Sequence, residues 1–164
     1  MNVFQDKYQN KTVLVTGHTG FKGSWLSLWL KQLGANVHGI SLDTPTDPSH
    51  FNAIKLGNQI NDHRLDILDE ESLKKLVCEI QPDFVFHLAA QALVRLSYQD
   101  PIKTITTNAV GSANVLDSLR FLNKPVVAIM ITSDKAYDNV EWVWGYRETD
   151  RLGGKDPYSA SKGM

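Results

Sequence analysis

Apolar positions recur along this chain with two periods, and each switch between them marks an element. Lys11 to Thr16 is short, apolar and β-branched, which predicts a buried parallel strand. A helical spacing follows, with Phe21, Trp25, Leu26, Leu28, Trp29 and Leu30 as its apolar positions. Gly34 stops that helix, and Val37 to Leu42 predicts a second strand ending at Asp43. Thr44 to His50 holds two prolines and predicts a loop, followed by a short helix over Phe51 to Leu56 and a weak strand over Gln59 to Leu65. Asp69-Glu70-Glu71-Ser72 opens a helix through Ile80, with acids in the first turn as the helix dipole prefers. Pro82-Asp83 breaks it, and Phe84 to Leu88 predicts a fourth buried strand. Asp100-Pro101 opens a long helix through Leu119, and Pro125 to Ile131 predicts the fifth strand. Asp156-Pro157 then reads as a cap and a first-turn proline for a helix beginning at Tyr158. Five strands alternating with helices predict an α/β fold, a doubly wound parallel sheet with right-handed crossovers.

Composition narrows the function classes. The chain has 164 residues, enough for one domain with its own core, so residues 1–164 are expected to form a single domain. A net charge of −1 gives no bulk field for nucleic acid or an anionic membrane. Met1 to Asn10 lacks the basic-then-apolar layout of a signal peptide, and no apolar run approaches the ~20 residues of a membrane span. Cys78 is the only cysteine; among Leu73, Leu76, Val77 and Ile80 it fits a small buried hydrophobe. These features predict a soluble protein of a reducing cytoplasm, with no metal site.

The first candidate chemistry lies between the first strand and helix, at Gly17-x-x-Gly20-x-x-Gly23. Strand, glycine turn and helix in that order bring a diphosphate onto a helix N-terminus. Gly17 is expected to make the tight turn, Gly20 to let backbone N–H groups reach the phosphates, and Gly23 to permit close packing of helix on sheet. Asp43 lies twenty positions after Gly23 at a strand end, where a carboxylate binds a ribose diol and repels a 2′-phosphate, favouring NAD over NADP. Asp66 has two readings, a cap for the next helix or a carboxylate reaching the adenine amino group. Ala89-Ala90-Gln91 follows the fourth strand at its carboxyl end, where ligands lie in open α/β sheets. His87, in an apolar strand, reads as a hydrogen-bonded core histidine. Asn108 inside the long helix disfavours helix on propensity, so a polar structural role is expected. The aromatic stretch Val140 to Gly154, with Trp142, Trp144 and Tyr146, fits a substrate-facing loop and simple packing equally well.

The second lies near the end of the chain. Tyr158 and Lys162 are spaced i, i+4 and share one helical face. A tyrosine, with a reference pKa of about 10, needs a nearby ammonium and the positive nicotinamide ring to act as a base at neutral pH. Ser133, at the end of the fifth strand, is placed to hydrogen-bond the same substrate hydroxyl.

Together these residues resemble the extended branch of the short-chain dehydrogenase/reductase family, with its Rossmann-type fold. The cofactor-side motifs are Gly17-His18-Thr19-Gly20-Phe21-Lys22-Gly23, Leu88-Ala89-Ala90-Gln91 and Thr107-Asn108. Within that branch, Thr132-Ser133-Asp134-Lys135-Ala136-Tyr137 and Gly153-Gly154-Lys155-Asp156-Pro157-Tyr158-Ser159-Ala160-Ser161-Lys162-Gly163 are similar to nucleotide-sugar 4,6-dehydratases of the CDP-glucose subgroup. The resemblance implies NAD as cofactor and CDP-glucose as substrate, converted to the 4-keto-6-deoxy sugar for bacterial surface polysaccharide. It implies NAD contacts from Gly17, Thr19, Gly20, Phe21, Lys22, Gly23, Asp43, Asp66, Ile67, Leu88, Ala89, Ala90, Thr107, Tyr158 and Lys162. In the reaction it implies, Tyr158 takes the proton of the sugar 4-hydroxyl and Asp134 protonates the departing C6 hydroxyl. Many dehydratases of this kind carry glutamate where Lys135 stands, so the base at C5 stays open: Lys135 itself with a depressed pKa, or another group while Lys135 holds substrate or tunes Asp134.

Family members continue beyond the helix that Tyr158 begins, with further strands and a sugar-nucleotide domain. The expectation is therefore a fragment that binds NAD weakly and does not turn over alone, and a homodimer when full length. A 4-epimerase would share every cofactor motif but needs no acid at C6. A non-catalytic NAD-binding domain would have no use for Tyr158, Lys162 and Ser133.

Overall fold

The computed structural model describes residues 3–164, with the backbone alone for Val3 and Gln5. The chain forms two compact units, one running through Ala89 and including Asn114–Met130, the other Ala90–Ala113 with Ile131–Met164.

The first unit is a five-stranded parallel sheet of β1 (Thr12–Thr16), β2 (Asn36–Ser41), β3 (Asn61–Arg64), β4 (Phe84–His87) and β5 (Val127–Met130), in the order β3-β2-β1-β4-β5. Every expected strand forms within two residues of its expected limits. β1 is central, and its apolar run is buried on both faces, as parallel sheets require. Leu14 packs on one face with Ile40, Leu73, Val77 and Val85, against α3 (Glu70–Ile80). Val13 and Val15 face the other way, against Leu30 of α1 (Phe21–Gln32). β3 and β5 are the two edges, with Val127 of β5 half exposed. The short helix α2 (His50–Ala53) precedes β3. Among the described residues no helix is long and apolar enough to cross a membrane.

Three expectations change here. The apolar positions of α1 do not all face the core: Phe21, Trp25 and Trp29 are 73%, 51% and 48% exposed, while Gly23, Ser24, Ser27 and Leu30 are buried. The glycine turn draws the start of α1 so close to the sheet that only small side chains fit beneath it. Asp66 is not the cap of α3; Asp69 is, its Oδ1 accepting from Ser72 N at 3.2 Å. Asp66 instead accepts from Leu68 N at 3.0 Å, in a turn of its own. Cys78 is half-buried rather than buried.

The second unit contains α4 (Val94–Gln99), which the apolar pattern does not signal, and α5 (Pro101–Ile105), capped by Asp100. The expected single helix to Leu119 is interrupted by a wide π-type turn over Thr106–Val110 before α6 (Gly111–Leu119). Such turns recur at functional sites. A short 3₁₀ turn spans Asp134–Ala136, and α7 (Pro157–Gly163) starts as expected, with Asp156 Oδ1 accepting from Ser159 N at 2.9 Å. Between them an excursion is closed by an antiparallel bridge between Tyr137 and Leu152. Tyr146 stacks on Tyr137 within it, and its hydroxyl donates to Asn139 Oδ1 at 2.8 Å. Packing thus accounts for Tyr146, whereas Val143 and Trp144 are exposed.

Candidate active site

The cradle of the first unit is made of backbone. Gly17 has φ +75°, and a Cβ there would lie 2.7 Å from Ala89 N. A Cβ on Gly23 would strike the Gly17 carbonyl oxygen. Gly20 is the N-cap of α1 and brings no side-chain acceptor, so the first-turn N–H groups at Phe21 and Lys22 are left to a ligand. Donors at a helix N-terminus beside a chain that no Cβ obstructs are the set a diphosphate takes, so the residues present fit a dinucleotide. Thr16 shapes the opposite wall: its Oγ1 accepts from Leu88 N and Ala89 N at 3.2 and 3.1 Å and lies 2.7 Å from His87 Nδ1. His87 is buried there as a core histidine.

Thr19 ties the turn to the end of β2. It is buried, 2.7 Å from Ser41 Oγ, and its hydroxyl donates to the Asp43 carbonyl at 3.5 Å. The Asp43 backbone is therefore held beside the glycine turn while its carboxylate is fully in solvent. The Ile67 side chain belongs to the core, and its carbonyl accepts from Asn114 Nδ2 at 3.0 Å.

Sequence reasoning missed the polar chain behind this cradle. His18 is completely buried against Phe51, with its ring over Gly39 of β2. Its Nε2 lies 2.8 Å from Asp62 Oδ1. Burial pushes the imidazole below its ordinary pKa, against the pull of the Asp62 carboxylate. Burial would raise Asp62, yet hydrogen bonds from Arg64 and His18 hold it below the usual carboxylate value. The available signal was Gly39, since a glycine inside a strand marks a close approach.

The second unit carries side-chain chemistry. Tyr158 and Lys162 are half-buried on α7, four residues apart. Burial lowers the pKa of Lys162, whose Nζ donates to the Ile131 carbonyl at 3.5 Å. Ser133 caps the 3₁₀ turn: its Oγ accepts from Lys135 N at 3.3 Å and donates to Asp134 Oδ1 at 3.2 Å. Asp134 and Lys135 are exposed. Asn108 is the structural node expected of it. Its Oδ1 accepts from Gln91 N at 2.8 Å, and its Nδ2 donates to Gln91 O at 3.0 Å and Ser161 Oγ at 2.9 Å. Ser161 also donates to the Tyr158 carbonyl at 2.6 Å, so the wide turn at Asn108 grips the helix that presents Tyr158 and Lys162. Thr107 is half-buried in that turn.

The family profile of GDP-mannose 4,6 dehydratase matches residues 14–164. A CDP-glucose 4,6-dehydratase of Salmonella typhimurium is 53% identical over 156 residues, 95% of this chain and 44% of that protein. A GDP-mannose 4,6-dehydratase of Vibrio cholerae is 30% identical over 93% of this chain and 43% of its own length. Among solved structures, an epimerase from Methanothermobacter thermautotrophicus superposes with TM-score 0.80 at 31% identity, covering 96% of this chain and 46% of that one. The Thermus thermophilus UDP-glucose 4-epimerase, solved in complex with NAD, gives 0.75 at 30% identity, covering 92% and 47%. The chain thus spans a little under half the length of the curated relatives it matches. With its sheet order, glycine turn and Tyr158-x-x-x-Lys162 helix, and a profile match from the first strand to the last residue, this chain belongs to the GDP-mannose 4,6 dehydratase family.

Proposed function

We propose that this chain supplies the NAD cradle and the acid–base residues of a nucleotide-sugar 4,6-dehydratase acting on CDP-D-glucose. The observation that carries the reading is the pairing of Asp134, exposed directly after Ser133, with Tyr158 and Lys162 on one helix. An epimerase has no leaving hydroxyl and no need of an acid there. The 53% identity to a relative named for CDP-glucose supports the choice of nucleotide.

NAD, bound by the glycine turn, supplies a hydride acceptor for C4 and a donor for C6. The residues of this chain move the protons. Tyr158 takes the proton of the 4-hydroxyl, and Ser133 orients that hydroxyl. Lys162 stands half-buried one turn further along the same helix, where it completes the pair with Tyr158. Asp134 delivers a proton to the departing C6 hydroxyl, and Lys135 holds the substrate or tunes Asp134. The product enters deoxysugar synthesis for surface polysaccharide, in the cytoplasm. The protein acts as a homodimer, a reading supported by the exposed apolar Ile102 and Val110 on α5 and the turn after it.

The test incubates the intact protein with NAD and CDP-, UDP-, GDP- or dTDP-linked hexoses and reads product mass. A product one water lighter from CDP-glucose alone is expected. The same loss from another nucleotide sugar would overturn the substrate. An unchanged mass with inverted C4 would make it an epimerase, and bound NAD with no reaction would make it a non-catalytic domain.

A further inference from the structure

Arg64 closes β3 with part of its guanidinium committed and one N–H on each terminal nitrogen open. Nε and Nη2 donate to Asp62 Oδ2 at 3.2 and 2.8 Å, and Nη1 donates to the Leu42 carbonyl at 3.1 Å. Three of its five N–H groups are used, which leaves one on each terminal nitrogen. Nη1 also lies 3.5 Å from Asp43 Oδ1. The head group sits 5.0 Å from the centre of the Phe51 ring. Asp62 is itself anchored at 2.8 Å to the fully buried His18 inside the glycine turn. This arginine is therefore fixed in place through Asp62, yet 38% exposed at its side chain.

We propose that Arg64 is a specificity-determining residue for the dinucleotide: a preformed receptor for a 2′-phosphate that the Asp43 carboxylate holds closed. The proposal rests on the reading of Asp43 as the acid at the adenosine ribose. A phosphate takes two N–H groups of one guanidinium, and Arg64 keeps one N–H on each terminal nitrogen for that use. Asp43 beside it neutralises the cation and repels a phosphate, while leaving a ribose diol free to bind. Selection against NADP then depends on a single negative charge. Asp43→Asn removes that charge without changing shape, and the amide still bonds the ribose.

Calorimetric titration of the intact protein with NAD and with NADP tests this for wild type, D43N, D43N/R64M and D43N/R64K, with thermal melting followed by circular dichroism as the folding check. Wild type is expected to prefer NAD. D43N should gain about tenfold or more in NADP affinity, R64M should abolish the gain, and R64K should keep part of it, because it keeps charge but not the fork. R64K carries the comparison if R64M melts below the assay temperature. An equal gain in D43N/R64M, or no gain in a D43N that still binds NAD, would overturn the proposal and leave the cofactor reading intact. A folded wild type that binds neither dinucleotide would overturn the cofactor reading and the proposal with it.

Discussion

Around Gly17 the first unit presents backbone, and around Ser133 and Tyr158 the second presents side chains. The cradle is rigid because its parts serve the fold as well. Gly17 N donates to the Ile40 carbonyl at 2.8 Å, Thr16 Oγ1 knots the ends of β1 and β4, and His18 is buried between Gly39 of β2 and the Phe51 ring. Half-buried Ser133 caps a short turn whose Asp134 and Lys135 are exposed and bear little of the packing. Binding a diphosphate needs donors fixed in advance, which backbone in a sheet supplies. Moving protons needs titratable groups, which a fold tolerates most easily away from its core. Asn108 and Ser161 are the exception in the second unit: buried polar groups spent on holding α7 in place.

That contrast can be broken most sharply by Tyr158→Phe. In the intact protein with the proposed dehydratase activity, loss of the phenol should lower turnover by about 10²–10⁴-fold, as for a lost acid–base group, while the melting temperature stays within a few degrees. Product formation against time and a thermal melt read the two together; a large stability loss would show that Tyr158 is structural as well.

Gly17→Ala should do the reverse and damage the fold itself. A left-handed φ for a non-glycine costs about 1–3 kcal/mol, and the contact with Ala89 N adds to it. Denaturant unfolding should show a loss of ~3 kcal/mol or more, together with lost NAD binding. An unchanged midpoint would mean that the turn relaxes freely.

The smallest effect concerns acid sensitivity. His18 is buried and its pKa is lowered by burial, and His38 is lowered by burial and by the stacked His63. Unfolded histidines take up a proton near pH 6.5 while these folded ones stay neutral, so stability is full above that pH and declines as pH falls below it. Each such proton gives a slope of up to about 1.4 kcal/mol per pH unit. Melting temperature measured from pH 7.5 to 5 should fall, and H18N should flatten the slope. A rise in stability on acidification would contradict the burial of these rings.

Much of this was legible in the chain. Four strands stand where apolar runs placed them, β3 (polar through Asn61–Arg64) follows a weaker signal, and Asp100, Asp156 and Pro157 mark helix starts as their chemistry requires. Asn108 was identifiable because an asparagine in mid-helix needs a polar reason. The outward faces of Trp25 and Trp29 were not legible, because helical periodicity shows that a stripe is apolar but not how closely the sheet approaches it. The wide turn at Thr106–Val110 was hidden for a similar reason, since no local propensity separates it from an ordinary helix.

The order of elements, the glycine turn, the acid at the end of β2 and the shared face of Tyr158 and Lys162 can all be read from the chain. All of these depend on spacing within a few residues or on the alternation of strand and helix. Folding alone joins His18, Asp62, Arg64 and Asp43 into one chain of charge and hydrogen bonds, and Gln91, Asn108 and Ser161 into one knot. Those groups come from segments far apart in the chain, and it is the parallel pairing of β1, β2 and β3, and in the second unit the packing of α7 on the turn at Asn108, that brings them within bonding distance.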